Sequence, residues 1–271
     1  MRVVELSNHP ADLLRQTRRR GAAQLSREQR QYTADLARHD QLLRDARRAR
    51  DQARAGRQWA AWLRAILAVR RQQRQAPRPP VSFRPVSGTE ARQAAGVDGE
   101  RLAIAALGQL LGDEWTALRG YRNRRGEIDL ILAGPDGLAA IEVKYHNATV
   151  RCDGDAWWES RNGRPGSAVS EPLADAGGRS PSVQLTEPAR LLEEFLHRRG
   201  HRVAFQLVVL LNHPRARLGT CTRPTVLITT SARGVTAALR DAGRPLAAAE
   251  VSQLTDLISR DHAYHQSRRR S

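Results

Sequence analysis

The sequence predicts an α/β fold in which a mixed central sheet is flanked by helices and preceded by a basic helical extension. Three observations predict it. Beyond Gly96 the chain alternates helix-forming and strand-forming stretches in the order helix, strands, helix, strands. Two apolar runs, residues 128–133 and 138–145, flank the turn signal Gly134-Pro135-Asp136-Gly137. Residues 32–75 contain no proline and one glycine, Gly56, and are dominated by alanine, leucine, arginine and glutamine, all good helix formers.

The elements follow in order. Residues 11–76 read as helical, with a narrow apolar stripe through Leu36, Leu43, Ala46, Trp59, Leu63, Ile66 and Leu67. The domain organisation expected is a basic helical extension over 1–76, a proline-rich linker over 77–95 and a core over 96–271. The segment 76–88 holds four prolines and cannot continue a helix. In the core, 97–111 reads as a helix and 115–121 as a strand. The hairpin runs through 128–133 and 138–145, with a short strand over 149–152. Residues 153–182 are polar and glycine-rich, as in a long loop. A helix follows over 183–199, with Pro188 disturbing its first turns. Apolar runs at 203–211 and 225–229 read as strands, and 232–241 and 247–262 as closing helices.

Charge points either to a polyanionic partner or to a high-GC codon bias that inflates arginine. The net charge is +17, and residues 1–80, with 19 arginines against 7 acids, hold +12 of it. Of 45 basic residues 44 are arginine, and Lys144 is the single lysine. Arginine serves wherever a solvated cation suffices, so Lys144 marks a position that needs a compact ammonium. Cys152 and Cys221 are the two cysteines and show no metal-ligand spacing, which points to a reducing cytoplasm, nucleoid association included. No signal peptide or membrane span is expected. The basic helices either bind a nucleic-acid backbone or form a coiled coil, through which the chain would self-associate.

The chemistry lies in Gly126-Glu127-Ile128-Asp129-Leu130-Ile131-Leu132 and, after the turn, Ile141-Glu142-Val143-Lys144. Alternation puts Glu142 and Lys144 on one face of their strand. With Pro135 and Asp136 at the hairpin tip, Asp129 lies opposite Glu142. With Asp136 and Gly137 at the tip, it lies opposite Lys144. Either register gathers two carboxylates and one ammonium among apolar neighbours. Such carboxylates are costly unless neutralised. Mg²⁺, or Mn²⁺, is the cofactor expected, because hard cations take oxygen ligands, activate water and stabilise a phosphoryl group in transfer. Lys144 would orient the water or offset developing charge. The plain alternative is an ion-pair network on a solvated sheet face. Arg122, Arg124 and Arg125 form a candidate phosphate-binding cluster, and His146 follows the motif directly. Surface solubility and a strand end explain these equally well. Trp157 and Trp158 either stack on bases or pack.

These residues resemble the nuclease-related domain (NERD) family, within the PD-(D/E)XK nuclease superfamily. The matching pieces are Gly96-x-x-Gly99-Glu100, Gly126-Glu127-Ile128-Asp129, Gly134-Pro135-x-Gly137-Leu138, Ile141-Glu142-Val143-Lys144, Trp157 or Trp158, and Ser180-Pro181-x-x-Gln184, spread over 96–211. The run beginning at Asn123 is also similar to a small endonuclease-like family of that superfamily, but the longer loop and the Pro-x-x-Gln helix start favour NERD. The resemblance implies that Asp129 and Glu142 are metal ligands with the Val143 carbonyl as a third. It makes Lys144 the catalytic lysine, has Glu100 complete the acidic site and turns Gln184 towards it. Without the resemblance, Glu100 reads as a helix-start carboxylate favoured by the dipole, and Gln184 as a polar first-turn residue. The function implied is metal-dependent hydrolysis of phosphodiester bonds, in DNA first. The alternative is a catalytically weak or inactive nuclease fold that binds nucleic acid or a protein partner.

Overall fold

The computed structural model describes residues 1–80, 88–161, 170–242 and 245–270. The elements, in chain order, are β1 (Arg2–Glu5), α1 (His9–Ala55), α2 (Trp59–Arg74), α3 (Gly88–Gly108), β2 (Thr116–Arg122), β3 (Glu127–Gly134), β4 (Gly137–Lys144), β5 (Ala148–Asp153), β6 (Ala156–Arg161), β7 (Glu171–Pro172), α4 (Pro181–Arg198), β8 (Phe205–Leu211), β9 (Arg217–Thr222), β10 (Leu227–Thr229), α5 (Ala232–Ala242) and α6 (Ala248–Arg270). They divide into two compact units. One comprises residues 1–13 and 91–271, the other residues 14–90.

The smaller unit is a helical hairpin. Helix α1 ends at Gly56 and Arg57, which turn the chain with Arg57 at φ 55°, and α2 runs back along it. The His39 ring bonds to the Gln72 carbonyl at 2.9 Å, and Ala53 and Val69 are buried between the helices. The opposite face leaves Trp59, Leu63 and Leu67 exposed. Among the described residues no helix is long and apolar enough to cross a membrane.

The larger unit is a three-layer α/β domain. Its six-stranded sheet has the order β1-β2-β3-β4-β8-β10. The β2-β3-β4 meander is antiparallel, while β1, β8 and β10 join in parallel. Helices α3 and α5 cover one face, through Ala103, Leu107, Val235 and Leu239 against Leu130, Leu132, Ile141 and Val208. Helices α4 and α6 cover the other, through Leu185, Leu192, Leu254 and Ile258 against Leu118, Ile131, Ala140 and Val209. Burying an aliphatic side chain of this kind contributes about 1.5–3 kcal/mol, and both faces are packed with them. A second sheet, β7-β6-β5-β9, packs Val150, Cys152 and Trp157 into the α4-side core.

The hairpin adopts the first of the two registers. Gly134 pairs with Gly137 and Leu130 with Ile141, leaving Pro135 and Asp136 at the tip. Gly134 is required, because a Cβ there would collide with the Trp115 ring.

Several expectations are corrected. Residues 2–5 are a strand, since β1 pairs with β2 from Arg2↔Thr116 to Glu5↔Arg119, and α1 starts at His9. A four-residue strand is too short to stand out by periodicity. The linker gives way to helix at Gly88, because 88–95 contains no proline to stop α3 from extending backwards; residues 81–87 lie outside the described residues. The loop expected over 153–182 contains β6 and β7, with residues 162–169 outside the described residues. Strand β9 went unread because its alternation is polar and largely exposed. Pro188 sits inside α4 without ending it.

The parallel edge strand is testable. Val4 packs against the α4-side core whereas Val3 is 46% exposed. Val4→Asp is expected to cost about 2 kcal/mol and Val3→Asp less than about 0.5 kcal/mol, read from urea midpoints. Equal costs would show that β1 does not bury its alternate face.

Candidate active site

The site forms where β3 and β4 stop pairing. Their ladder runs only as far as Leu130↔Ile141. At the next position the Val143 N–H donates to Asp129 Oδ2 at 2.7 Å, so a side-chain carboxylate takes the amide that a strand carbonyl would otherwise accept. Strand β4 stays paired with β8 through Lys144↔Leu211, which keeps Glu142 and Lys144 on a rigid support.

Glu142 and Lys144 lie on the side of β4 that faces Gln184 of α4, and Asp129 joins Glu142 and Gln184 in lining one cleft. Lys144 Nζ donates to Glu142 Oε1 at 2.7 Å and to Gln184 Oε1 at 3.1 Å. Gln184 Nε2 in turn donates to the Arg179 carbonyl at 2.6 Å. Gln184 reaches this position because Ser180 and Pro181 start α4: Ser180 is extended at the N-cap, and proline fills the first turn, where no amide hydrogen is needed.

Glu100 arrives from α3, on the opposite face. Gly99 lets α3 approach, since a Cβ there would lie 2.6 Å from that of Tyr145. Asn212 ties the same point together. Its Nδ2 donates to the Gly99 carbonyl at 2.9 Å, and its backbone N–H donates to the Lys144 carbonyl at 2.9 Å. Glu100 accepts a hydrogen bond from Arg119 Nε at 3.0 Å, and Arg119 Nη2 stands in ion-pair contact with the same oxygen at 2.9 Å. Sequence reading missed this arginine, which looks like any other arginine in a basic chain.

The electrostatics are those of crowded acids. Burial first, and then the Glu142 and Glu100 charges, push the Asp129 carboxyl well above the ordinary carboxylate range; Lys144 and the Val143 amide offset this only in part. Burial also raises Glu100 against the opposing pull of Arg119, and repulsion from Glu142 adds to the rise. Burial pulls Lys144 down, but Glu142 and Asp129 outweigh it and hold the ammonium above its ordinary value. Lys144 is therefore a protonated cation at neutral pH.

Asp129 and Glu142 open into a cleft of about 310 Å³ that is also lined by Gln184, Arg122, Arg124, Arg125 and Arg179. The structure thus brings Arg122, Arg124 and Arg125 to the acids. Arg179, unread in the sequence, joins them, its Nη1 donating to the Arg125 carbonyl at 3.0 Å. His146 is not brought there. Its Nδ1 lies 2.6 Å from Glu159 Oε2 on β6, and it does not line the cleft. Trp157 is buried, with Nε1 donating to Ser182 Oγ at 3.0 Å, which is the packing role; Trp158 is exposed.

Among the described residues no three Asp, Glu, His or Cys side chains converge into a closed metal cage. The donors available are oxygens: Asp129, Glu142 and the Val143 carbonyl. Mg²⁺ is commonly bound by one or two carboxylates, with water and substrate phosphate completing its shell. A buried acid pair short of positive charge fits that pattern, so these residues could hold such an ion.

Fold and site together define a mixed α/β domain whose cleft gathers carboxylates and arginines. Residues 95–212 match the model of the nuclease-related domain family, NERD. The matched span runs from within α3 to the end of β8, and leaves β1, β9, β10, α5 and α6 outside it. No curated protein and no solved structure matches the chain.

The raised Asp129 carboxyl has a consequence for stability. The folded state holds that proton to higher pH than the unfolded chain does. Its contribution is therefore complete below the ordinary carboxylate value and is lost as pH rises through the elevated folded value. Asp129→Asn keeps an oxygen for the Val143 amide and removes the charge. In EDTA at about pH 8 the variant is expected to melt higher than wild type, by roughly 2–4 °C per kcal/mol relieved. At about pH 4 the gain should shrink. A variant that melts lower at both pH values would contradict the electrostatic account.

Proposed function

We propose that the larger unit hydrolyses phosphodiester bonds in nucleic acid, DNA in the first instance, with Mg²⁺ or Mn²⁺ as its resident cation. One observation carries this reading: Asp129 and Glu142 share a single cleft with Arg122, Arg124, Arg125 and Arg179. Acids alone repel a phosphodiester. Arginines alone hold it without supplying chemistry.

The residues divide the work. The guanidinium rim would bind non-bridging phosphate oxygens, a geometry to which the planar fork is suited. Asp129, Glu142 and the Val143 carbonyl would hold the cation, which supplies an activated water and neutralises charge on the phosphoryl group. Lys144 Nζ keeps its proton and offers positive charge and a hydrogen bond to the water or the developing oxyanion. Gln184 positions Lys144 and is itself anchored by the Arg179 carbonyl. Glu100, clamped by Arg119, adds negative charge next to Asp129, strengthening the demand for a cation. The basic helical unit would contribute phosphate affinity without sequence preference. Both cysteines are free although Cys152 and Cys221 pair in register, which accords with a reducing cytoplasmic setting.

A second reading is a nuclease fold that binds nucleic acid without turnover. It draws on the ion pairs that already satisfy Glu142 and Glu100.

Lys144 separates the two. Its ammonium is wedged between Glu142 and Gln184 with only 18% of the side chain exposed, so a guanidinium must displace one of them. Lys144→Arg is expected to fold and bind nucleic acid yet to lose about 10²-fold in cleavage rate, the cost of misplacing a group by about 1 Å. Initial cleavage rates beside melting temperatures for wild type, Lys144→Arg and Lys144→Ala provide the check. Wild-type rates in the arginine variant would remove any special role for the lysine. Binding without cleavage in the wild type would favour the second reading.

A further inference from the structure

A larger cavity of about 590 Å³ lies between α4 and α6. Arg122 and Arg124 line both this trench and the acid cleft, so the two concavities share a rim. Helix α4 adds Arg198, with Arg199 just beyond its end, and α6 adds Arg260 and Arg268. Arg124, Arg198 and Arg260 have no carboxylate partner among the described residues. The single acid in the wall, Asp261, is already engaged: it accepts the Tyr121 hydroxyl at 2.5 Å and faces His265 Nε2 at 3.7 Å. Positive charge left uncompensated in a concave wall focuses an anion-attracting field.

Two rings accompany the charge. Arg199 lies over the Phe195 ring at 5.1 Å and Arg268 over the Tyr264 ring at 5.2 Å, with Tyr264 52% exposed. Interleaved arginines and aromatic faces track a single strand, phosphates on the guanidinium groups and bases on the rings. The trench is also fixed in place. The Arg122 amide donates to His262 Nδ1 at 3.0 Å, and Asn123 Nδ2 bridges the Tyr121 hydroxyl at 3.2 Å and the Pro188 carbonyl at 2.9 Å. Strand β2, α4 and α6 are thereby locked together. Helix α6 lies outside the span matched by the nuclease-related family.

We infer that the α4–α6 trench is a second nucleic-acid subsite, holding the single strand that runs on from the acid cleft. The direction of that strand rests on the phosphodiester chemistry proposed for the cleft; the affinity of the trench does not.

The test uses the full chain in EDTA, with labelled DNA single strands of about 16 nucleotides and of three, followed by fluorescence anisotropy across a salt series. The double variant Arg198→Gln/Arg260→Gln is compared with Arg151→Gln/Arg217→Gln, an equal charge change on the second sheet. The trench variant is expected to lose about tenfold or more in affinity for the long strand, with a salt slope shallower by about 1.4 for two lost phosphate contacts. The control should lose little, and the trinucleotide should distinguish neither variant. Tyr264→Ala is expected to weaken long-strand binding about fivefold or more with the salt slope unchanged. Equal losses in the two double variants, or affinity independent of strand length, would overturn the inference. Cleavage in Mg²⁺ without length dependence would sink the trench and leave the proposed chemistry standing. Length-dependent binding that requires Arg198 and Arg260, without cleavage, would do the reverse.

Discussion

The hydrogen bond from the Val143 amide to Asp129 Oδ2 sets where the sheet ends and the site begins. A strand amide left unpaired in a buried position costs about 1–3 kcal/mol. Asp129 satisfies it, and β3 is thereby released from the ladder one residue after Leu130. Strand β4 needs no such release, because β8 holds its other edge through Lys144. The ladder therefore stops on one side of β4 only, and a cleft lined by Asp129 and Glu142 opens there. Glu100 and Asp129 come from opposite layers and still repel one another.

That arrangement balances charge only partly. Lys144 and Arg119 each hold one carboxylate, and Asp129 is left with an amide and a raised affinity for protons. The arginine rim lies around the same cleft, so under the proposed function a phosphodiester drawn to the rim would meet the acids through the cation they would hold. The α4–α6 trench extends the rim without adding acids that remain unengaged.

Much of this was legible in the sequence, for physical reasons. A two-residue tip between glycines leaves few registers, so spacing put Asp129 opposite either Glu142 or Lys144, and the pairing of Leu130 with Ile141 matches the first. A single lysine among 44 arginines marked Lys144. The Pro-x-x-Gln start of α4 pointed to Gln184. What could not be read depends on distance along the chain. Strand β1 joins β2 across more than a hundred residues and is too short to show a period. Arg119 and Arg179 gain their meaning only from the carboxylates and carbonyls that the fold brings to them. His146 follows the motif directly, yet Glu159 on β6 holds it outside the cleft, and nothing in the local sequence announced that strand.

The account turns on phosphodiester hydrolysis in the acid cleft. Its most direct measurement is a time course of the full chain with end-labelled supercoiled, linear and single-stranded DNA and single-stranded RNA, each in Mg²⁺, Mn²⁺ or EDTA. Broken phosphodiester bonds in at least one DNA substrate with either metal, and none in EDTA, are the expected result. Every substrate intact in both metals, under conditions where anisotropy shows it bound, would contradict it.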